Sequence, residues 1–172
     1  MIDREQTCCF SGHRPMKLPW GLRESDARCI QTKEWLHTQI TALYQSGYRN
    51  FICGMAIGCD TYFAQEVSNL KSSDDYRDIR LIGAIPCATQ SDHWNKTQKL
   101  AYQELLLSCD ETKIFQDSYS SGCMMVRNRW MVDHSSVLIS CYNGRPGGTM
   151  NTIAYAMREG LETIILDISA FE

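Results

Sequence analysis

Residues 137–155 read VLISCYNGRPGGTMNTIAY. The run from Val137 to Tyr142 is short, apolar and rich in branched residues, which predicts a buried strand. Gly144-Arg145-Pro146-Gly147-Gly148-Thr149 follows as a tight loop, and Ile153, Ala156 and Met157 resume at helical spacing. Glycine lets backbone N–H groups come close to an anion, and a helix start adds roughly half a positive charge. Phosphate is the natural guest of such a loop. The stretch lacks the lysine of a P-loop and the spacing of a dinucleotide fingerprint, so a purely structural turn stays open at this point.

The same strand–glycine–helix grammar occurs twice more. Residues 7–10 form a strand candidate that runs into Ser11-Gly12-His13-Arg14, and residues 50–53 form another that runs into Gly54-Met55-Ala56-Ile57-Gly58-Cys59-Asp60. Asp60 reads either as a helix N-cap or as a ligand contact. Further strands are expected at 80–85, 112–115 and 163–166. Helices are expected at 27–46, along Phe63, Ala64, Val67 and Leu70, from a Ser91 cap to 108 with Trp94 facing the core, and at 124–135. Residues 16–24, with Pro19, Trp20 and Gly21, are irregular and read as either a lid or a surface loop. Alternating strands and helices predict a single α/β domain, Rossmann-like, with a mostly parallel sheet and helices on both faces. Ligands of such folds sit beyond the strand carboxyl ends, where the three glycine loops would meet.

At 172 residues the chain suits one domain. Its net charge of −3 offers no global attraction for nucleic acid or anionic membrane, so the expected partner is small and nucleic acid is argued against. The first ten residues do not read as a signal peptide, and no apolar run reaches membrane-spanning length, which predicts a cytoplasmic protein with no membrane partner. Nine scattered cysteines without a C-x-x-C pair read as buried, reduced thiols rather than metal ligands. No metal is expected. Self-association into a homo-oligomer is open to a domain of this size, but no stripe marks the face.

Together Ser11 to Arg14, Gly54 to Asp60, Arg127-Asn128 with Met131 and Asp133, and Gly144 to Thr149 resemble the SLOG superfamily, which includes the DNA-processing protein DprA and the LOG phosphoribohydrolases. Within it the chain looks most like the YpsA-like branch of small bacterial and phage proteins. The resemblance implies a nucleotide-type ligand and no required cofactor. The implied phosphate-binding residues are Ser11, Gly12, His13, Arg14, Gly54, Met55, Gly58, Asp60, Arg127, Asn128, Gly144, Arg145, Gly147, Gly148 and Thr149, with Trp94 or Tyr119 stacking on a base. In the phosphoribohydrolase branch an arginine and a glutamate carry N-glycosidic cleavage. Met124, Arg127 and Met131 match the first half of that pattern, but Thr152 stands where the glutamate would be. A hydroxyl is neither negative nor basic enough to replace it. The favoured expectation is therefore a protein that senses or sequesters a nucleotide or an ADP-ribose- or NAD-derived signal, linear or cyclic. The alternative is a hydrolase whose carboxylate comes from Asp60 or Asp133, and the third reading is DprA-like single-stranded DNA binding, suggested by the Gly54 to Asp60 run.

Overall fold

The computed structural model describes residues 1–171. Six parallel strands form one sheet in the order β4-β3-β2-β1-β5-β6: β1 (Thr7–Gly12), β2 (Asn50–Cys53), β3 (Arg80–Ile85), β4 (Glu111–Ile114), β5 (Val137–Tyr142) and β6 (Glu162–Asp167). Three of these strands, β2, β3 and β5, have the bounds their apolar runs predict. The strand β1 runs two residues further than expected, because Ser11 and Gly12 stay in register with Ser140 and Cys141.

Helices α1 (Ala27–Gln45), α2 (Cys59–Lys71) and α3 (Lys96–Ser108) cover one face, and α4 (Cys123–Asp133) and α5 (Gly148–Arg158) the other. The larger core lies under the first three helices. Phe10 stacks on Phe63 at 4.7 Å between ring centres, and Phe51 meets the same ring at 6.3 Å. The smaller core joins Cys9, Ile52 and Leu138 of the sheet to Met131, Val132, Ile153 and Ala156 of the helices. Eight of the nine free cysteines are buried and Cys109 is half-buried, as their apolar settings predict. No helix among the described residues is long and apolar enough to cross a membrane.

Helix starts depart most from the sequence reading. The α3 cap is Asn95, not Ser91, because Asn95 and Gln98 close a reciprocal capping box that satisfies two orphan N–H groups. Trp94 therefore stands in the turn before α3, packed edge-on against Tyr102 at 5.1 Å. Met157 points to solvent, at 55% exposure, while Thr152, Ile153 and Ala156 take the buried stripe. Residues 16–24 are no free lid: Leu18 and Trp20 are buried, and Trp20 Nε1 donates to Tyr62 Oη at 3.1 Å.

Strand order reverses beside β1: β2, β3 and β4 follow on one side, whereas β5 and β6 lie on the other. Consequently α1 and α5 leave the carboxyl ends of β1 and β5 toward opposite faces. A crevice opens between them. Gly12 lies at its root, and a Cβ there would come within 2.6 Å of Cys59 Cβ and 2.8 Å of the Phe10 ring. We expect Gly12→Ala to cost about 1–3 kcal/mol by overpacking, lowering Tm by roughly 2–4 °C for each kcal/mol in a domain of this size. Thermal denaturation followed by circular dichroism checks this, and an unchanged Tm would mean that α2 does not press on β1 there.

Candidate functional site

At this crevice a cleft of about 260 Å³ is lined from four directions. The β1 loop contributes Ser11 to Arg14 with Met16 and Lys17, and the β2 loop contributes Ala56 and Asp60. Helix α4 adds Met124, Arg127, Asn128 and Met131, and α5 adds Gly148 and Thr149.

The β1 loop is held on both sides. His13 O accepts from Cys59 N at the start of α2, 3.1 Å, and Gly58 at φ +93° lets that carbonyl approach where a Cβ would lie 2.7 Å from it. His13 itself is buried and bridges to the β5 loop: Nε2 lies 2.8 Å from Asn143 Oδ1 and 3.2 Å from Asn143 N. Either neutral tautomer therefore finds a partner on one residue. Burial pushes the His13 pKa down, Asn143 opposes this, and the Lys17 charge adds to it. A neutral strut across the crevice is the result.

Positive charge gathers at the β5–α5 turn. Gly147, at φ +151°, precedes α5 without a side-chain cap, and the first helical bond runs from Asn151 N to Gly147 O. The N–H groups of Gly148, Thr149 and Met150 thus have no carbonyl one turn back. Nothing stands within 4 Å of the place a Cβ on Gly148 would take, so the helix start faces open space. Lys17 reaches across from the other loop, donating Nζ to Pro146 O at 3.3 Å, and occupies the space that a Cβ on Gly147 would overlap. Arg14 is exposed on the same rim, its Nη2 3.8 Å from Met124 Sδ. A lysine against the positive end of a helix is an unfavourable placement in the absence of an anion.

Deeper in, Arg127 is only 4% exposed. Its Nη1 donates to Gly54 O at 2.7 Å and Ala84 O at 3.0 Å, and Nε donates to Asn128 Oδ1 at 2.7 Å. Of its five N–H donors only the two on Nη2 are left for a ligand, and Nη2 makes a 3.7 Å contact with Met124 Sδ. Arg127 thus ties the ends of β2 and β3 to α4. Gly54 has to be glycine, since a Cβ would lie 2.6 Å from Arg127 Cζ. Met55 follows at φ +61°, a left-handed conformation costing roughly 1–2 kcal/mol for a residue with a Cβ. Ala56 N then donates to Asp60 Oδ2 at 3.2 Å. Asp60 is in the first turn of α2, whose N-cap is Gly58, so it is not the cap. Burial raises its pKa, opposed first by the Arg127 charge; Arg127 is in turn pushed down by burial.

Of the residues singled out from sequence, Ser11, Gly12, His13, Arg14, Asp60, Arg127, Asn128, Gly148 and Thr149 come together on the cleft wall. Gly54 and Gly147 shape it from behind Arg127 and Lys17. Met55, Gly58 and Trp94 line a separate, more apolar groove toward α3. Gly144 is exposed, and Arg145 donates its N–H to Asn143 Oδ1 at 3.0 Å, both at the outer turn. Tyr119 is 66% exposed, ahead of α4 and off the cleft wall. Asp133 is also off it, accepting from Tyr155 Oη at 2.7 Å, which leaves Asp60 as the candidate carboxylate at the site. Thr152 Oγ1 turns back to Gly148 O at 2.9 Å inside its own helix. Lys17 and Asn143 were not foreseen from sequence, since their partners lie about 130 residues away in the chain. Among the described residues no group of three or more His, Cys, Asp or Glu side chains could hold a metal ion.

A family model described as the YspA SLOG family matches residues 8–168. The SPbeta prophage-derived protein YoqJ of Bacillus subtilis is 30% identical over 126 residues, covering 66% of this chain and 72% of that protein. A UPF0398 protein of Bacillus pumilus is 23% identical over 142 residues, 81% of this chain and 74% of its own length. Among solved structures, DNA processing protein A of Helicobacter pylori, described for its single-stranded DNA binding mode, superimposes with a TM-score of 0.64 at 15% identity over 99% of this chain and 72% of that one. The Streptococcus pneumoniae protein of the same name gives 0.61 at 14% identity over 94% of this chain, which spans half of that protein's length. These matches overturn the expectation that set nucleic acid aside: the fold is that of DNA processing proteins, and the chain's net charge excludes no such partner.

Two outcomes test this geometry. Arg127→Ala should lower Tm by roughly 6–12 °C, because removing a buried charge that holds two carbonyls costs about 3 kcal/mol, whereas exposed Arg14→Ala should leave Tm nearly unchanged. The depressed His13 pKa means that the unfolded chain binds more protons below its ordinary value of 6.5. Stability should therefore fall as pH drops from 6.5 through the folded-state pKa. His13→Gln, which keeps an N–H donor for Asn143, should flatten that segment of the Tm–pH curve.

Proposed function

The chain belongs to the YspA SLOG family, and from that premise we propose that the crevice between β1 and β5 binds the phosphate of a nucleotide-type ligand, which the protein senses or sequesters. The observation that carries this reading is the convergence of Lys17, Arg14 and the uncapped start of α5 on one open rim. Like charges held together cost free energy until an anion arrives, and that cost is recovered on binding. Phosphate would take the N–H groups of Gly148 and Thr149, with Lys17 released from Pro146 O to a charge-assisted bond. Met16, Met124 and Met131 offer a soft apolar wall to the rest of the molecule. ADP-ribose- or NAD-derived signals are one class of such ligands.

A second reading, single-stranded DNA on the same rim, has the support of the two DNA processing proteins that share the fold. N-glycosidic hydrolysis is the third, and it would require Asp60 as the carboxylate. One experiment separates them: calorimetric titration with AMP, NAD, ADP-ribose and a short single-stranded DNA at two salt concentrations, with chromatography of the recovered ligand. Intact mononucleotide with an affinity that falls about tenfold or more in Lys17→Ala, the loss of one charge-assisted bond, supports the main reading. Steeply salt-dependent oligonucleotide binding alone would replace it with the DNA reading, and free base would make the protein a hydrolase. Binding unaffected by Lys17→Ala would remove the proposed phosphate position.

A further inference from the structure

Away from the crevice, the sheet ends in a strand with one open side. The strand β4 is an edge, and Glu111, Thr112, Lys113 and Ile114 are all exposed. Phe115 N donates to Ile85 O at 3.0 Å, and the alternation of strand hydrogen bonds then turns the peptide groups of Glu111 and Lys113 toward β3 and those of Thr112 and Ile114 outward. Asp110, just ahead of the strand, gives its N–H to Leu81 O at 2.8 Å, so the free edge begins at Thr112. A lysine on such an edge usually keeps other strands away. Here, however, Glu111 stands two residues before Lys113 and therefore on the same face of the sheet. Glu111 meets Arg80 at 2.6 Å and keeps 48% of its side chain exposed, and Lys113 Nζ lies over the rings of Phe115 and Trp130 at 5.3 and 5.5 Å.

We propose that β4 is a docking edge for the β4 of a second copy of this chain, paired antiparallel about a two-fold axis through Thr112. An isologous antiparallel pair has to set outward residues opposite outward residues, which confines the axis to a residue rather than to the gap between two. Centred on Glu111, the pairing puts two glutamates face to face; centred on Lys113, it does the same with two lysines, and both arrangements are unfavourable. Centred on Thr112, it puts each Glu111 opposite the Lys113 of the other copy, while the two Thr112 residues exchange N–H···O bonds. The Glu–Lys pairs then occupy the non-hydrogen-bonded positions, where side chains approach most closely. Ile114, 55% exposed, gains cover from the second strand. The opposite edge of the sheet offers no such match: β6 carries Glu162 and Asp167 and no cation, so no register of it with itself pairs opposite charges. Since the joined strands run antiparallel, the two crevices stay open at opposite ends of one continuous sheet.

Sedimentation velocity of the full chain over a concentration series tests the proposal, together with residue-resolved hydrogen exchange at both ends of that series. The expected result is a monomer–dimer equilibrium in which the Thr112 and Ile114 amides exchange about tenfold more slowly once roughly nine-tenths of the protein is dimeric. Lys113→Glu, which sets glutamates opposite each other at both positions, should weaken the dimer about tenfold or more. Adding Glu111→Lys restores opposite charges in reversed order and should recover it. A wild-type chain that stays monomeric up to about 1 mM overturns the proposal without any variant. So does a dimer whose Thr112 and Ile114 amides exchange as in the monomer, or one that Lys113→Glu leaves intact. Growth beyond a dimer also overturns it, since that is the mark of an edge meeting a different surface.

Discussion

A guanidinium buried among backbone carbonyls sets the shape of the functional rim. Parallel strands end with carbonyls that the sheet no longer satisfies, and a buried one left alone costs about 1–3 kcal/mol. Arg127 meets two of them, Gly54 O and Ala84 O, from a helix on the opposite side of the crevice. Several features then follow from that one placement. Position 54 must be glycine to admit the side chain; the chain turns through a left-handed Met55; and the Asp60 carboxylate stands near the buried cation. At this rim the clamp joins β2 and β3 to α4 beside the apolar contacts that Met131 and Val132 make with the sheet.

The outer half of the cleft follows the opposite rule. There the cations are exposed, and the backbone donors of α5 have no partner one turn back. Stability would favour a carboxylate cap at the start of α5, worth about 0.5–2 kcal/mol, but Gly147 stands at that position and a lysine leans over it. The fold forgoes a cheap stabilisation at the point where a ligand could supply it. The proposed phosphate position rests on this unfavourable placement of cations beside a helix start.

How much of this was legible in the sequence depended on the range of the interaction. Val137–Tyr142 and Arg80–Ile85 declare themselves, because a fully buried parallel strand needs only a local apolar run. The α3 start is ambiguous in sequence because Ser91 and Asn95 are both good caps, and the choice turns on Gln98, three residues after Asn95. Glycine loops were readable as a class, and sheet topology brought them to one edge. What could not be read was pairing across the crevice. His13 offered no visible partner until Asn143 was placed opposite, and Lys17 lay in a stretch whose composition said only that it was irregular. Arg127 reads from sequence as a ligand contact, but its commitment to strand carbonyls is a tertiary fact.

Net charge misleads for a related reason. A sum of −3 over the chain fixes the field far from the protein, yet at a distance of about 8–10 Å, one Debye length at moderate salt, only nearby charges matter. Arg14, Lys17 and the α5 start share one rim with Asp60 set below them, while acidic residues such as Asp74, Asp75 and Glu111 lie at other turns and edges of the fold. A ligand at the crevice therefore meets a locally positive surface above a single carboxylate. That local pattern, with cations and free backbone N–H groups at the mouth and a carboxylate below, is a property of the folded rim that a sum of charges over the chain does not carry.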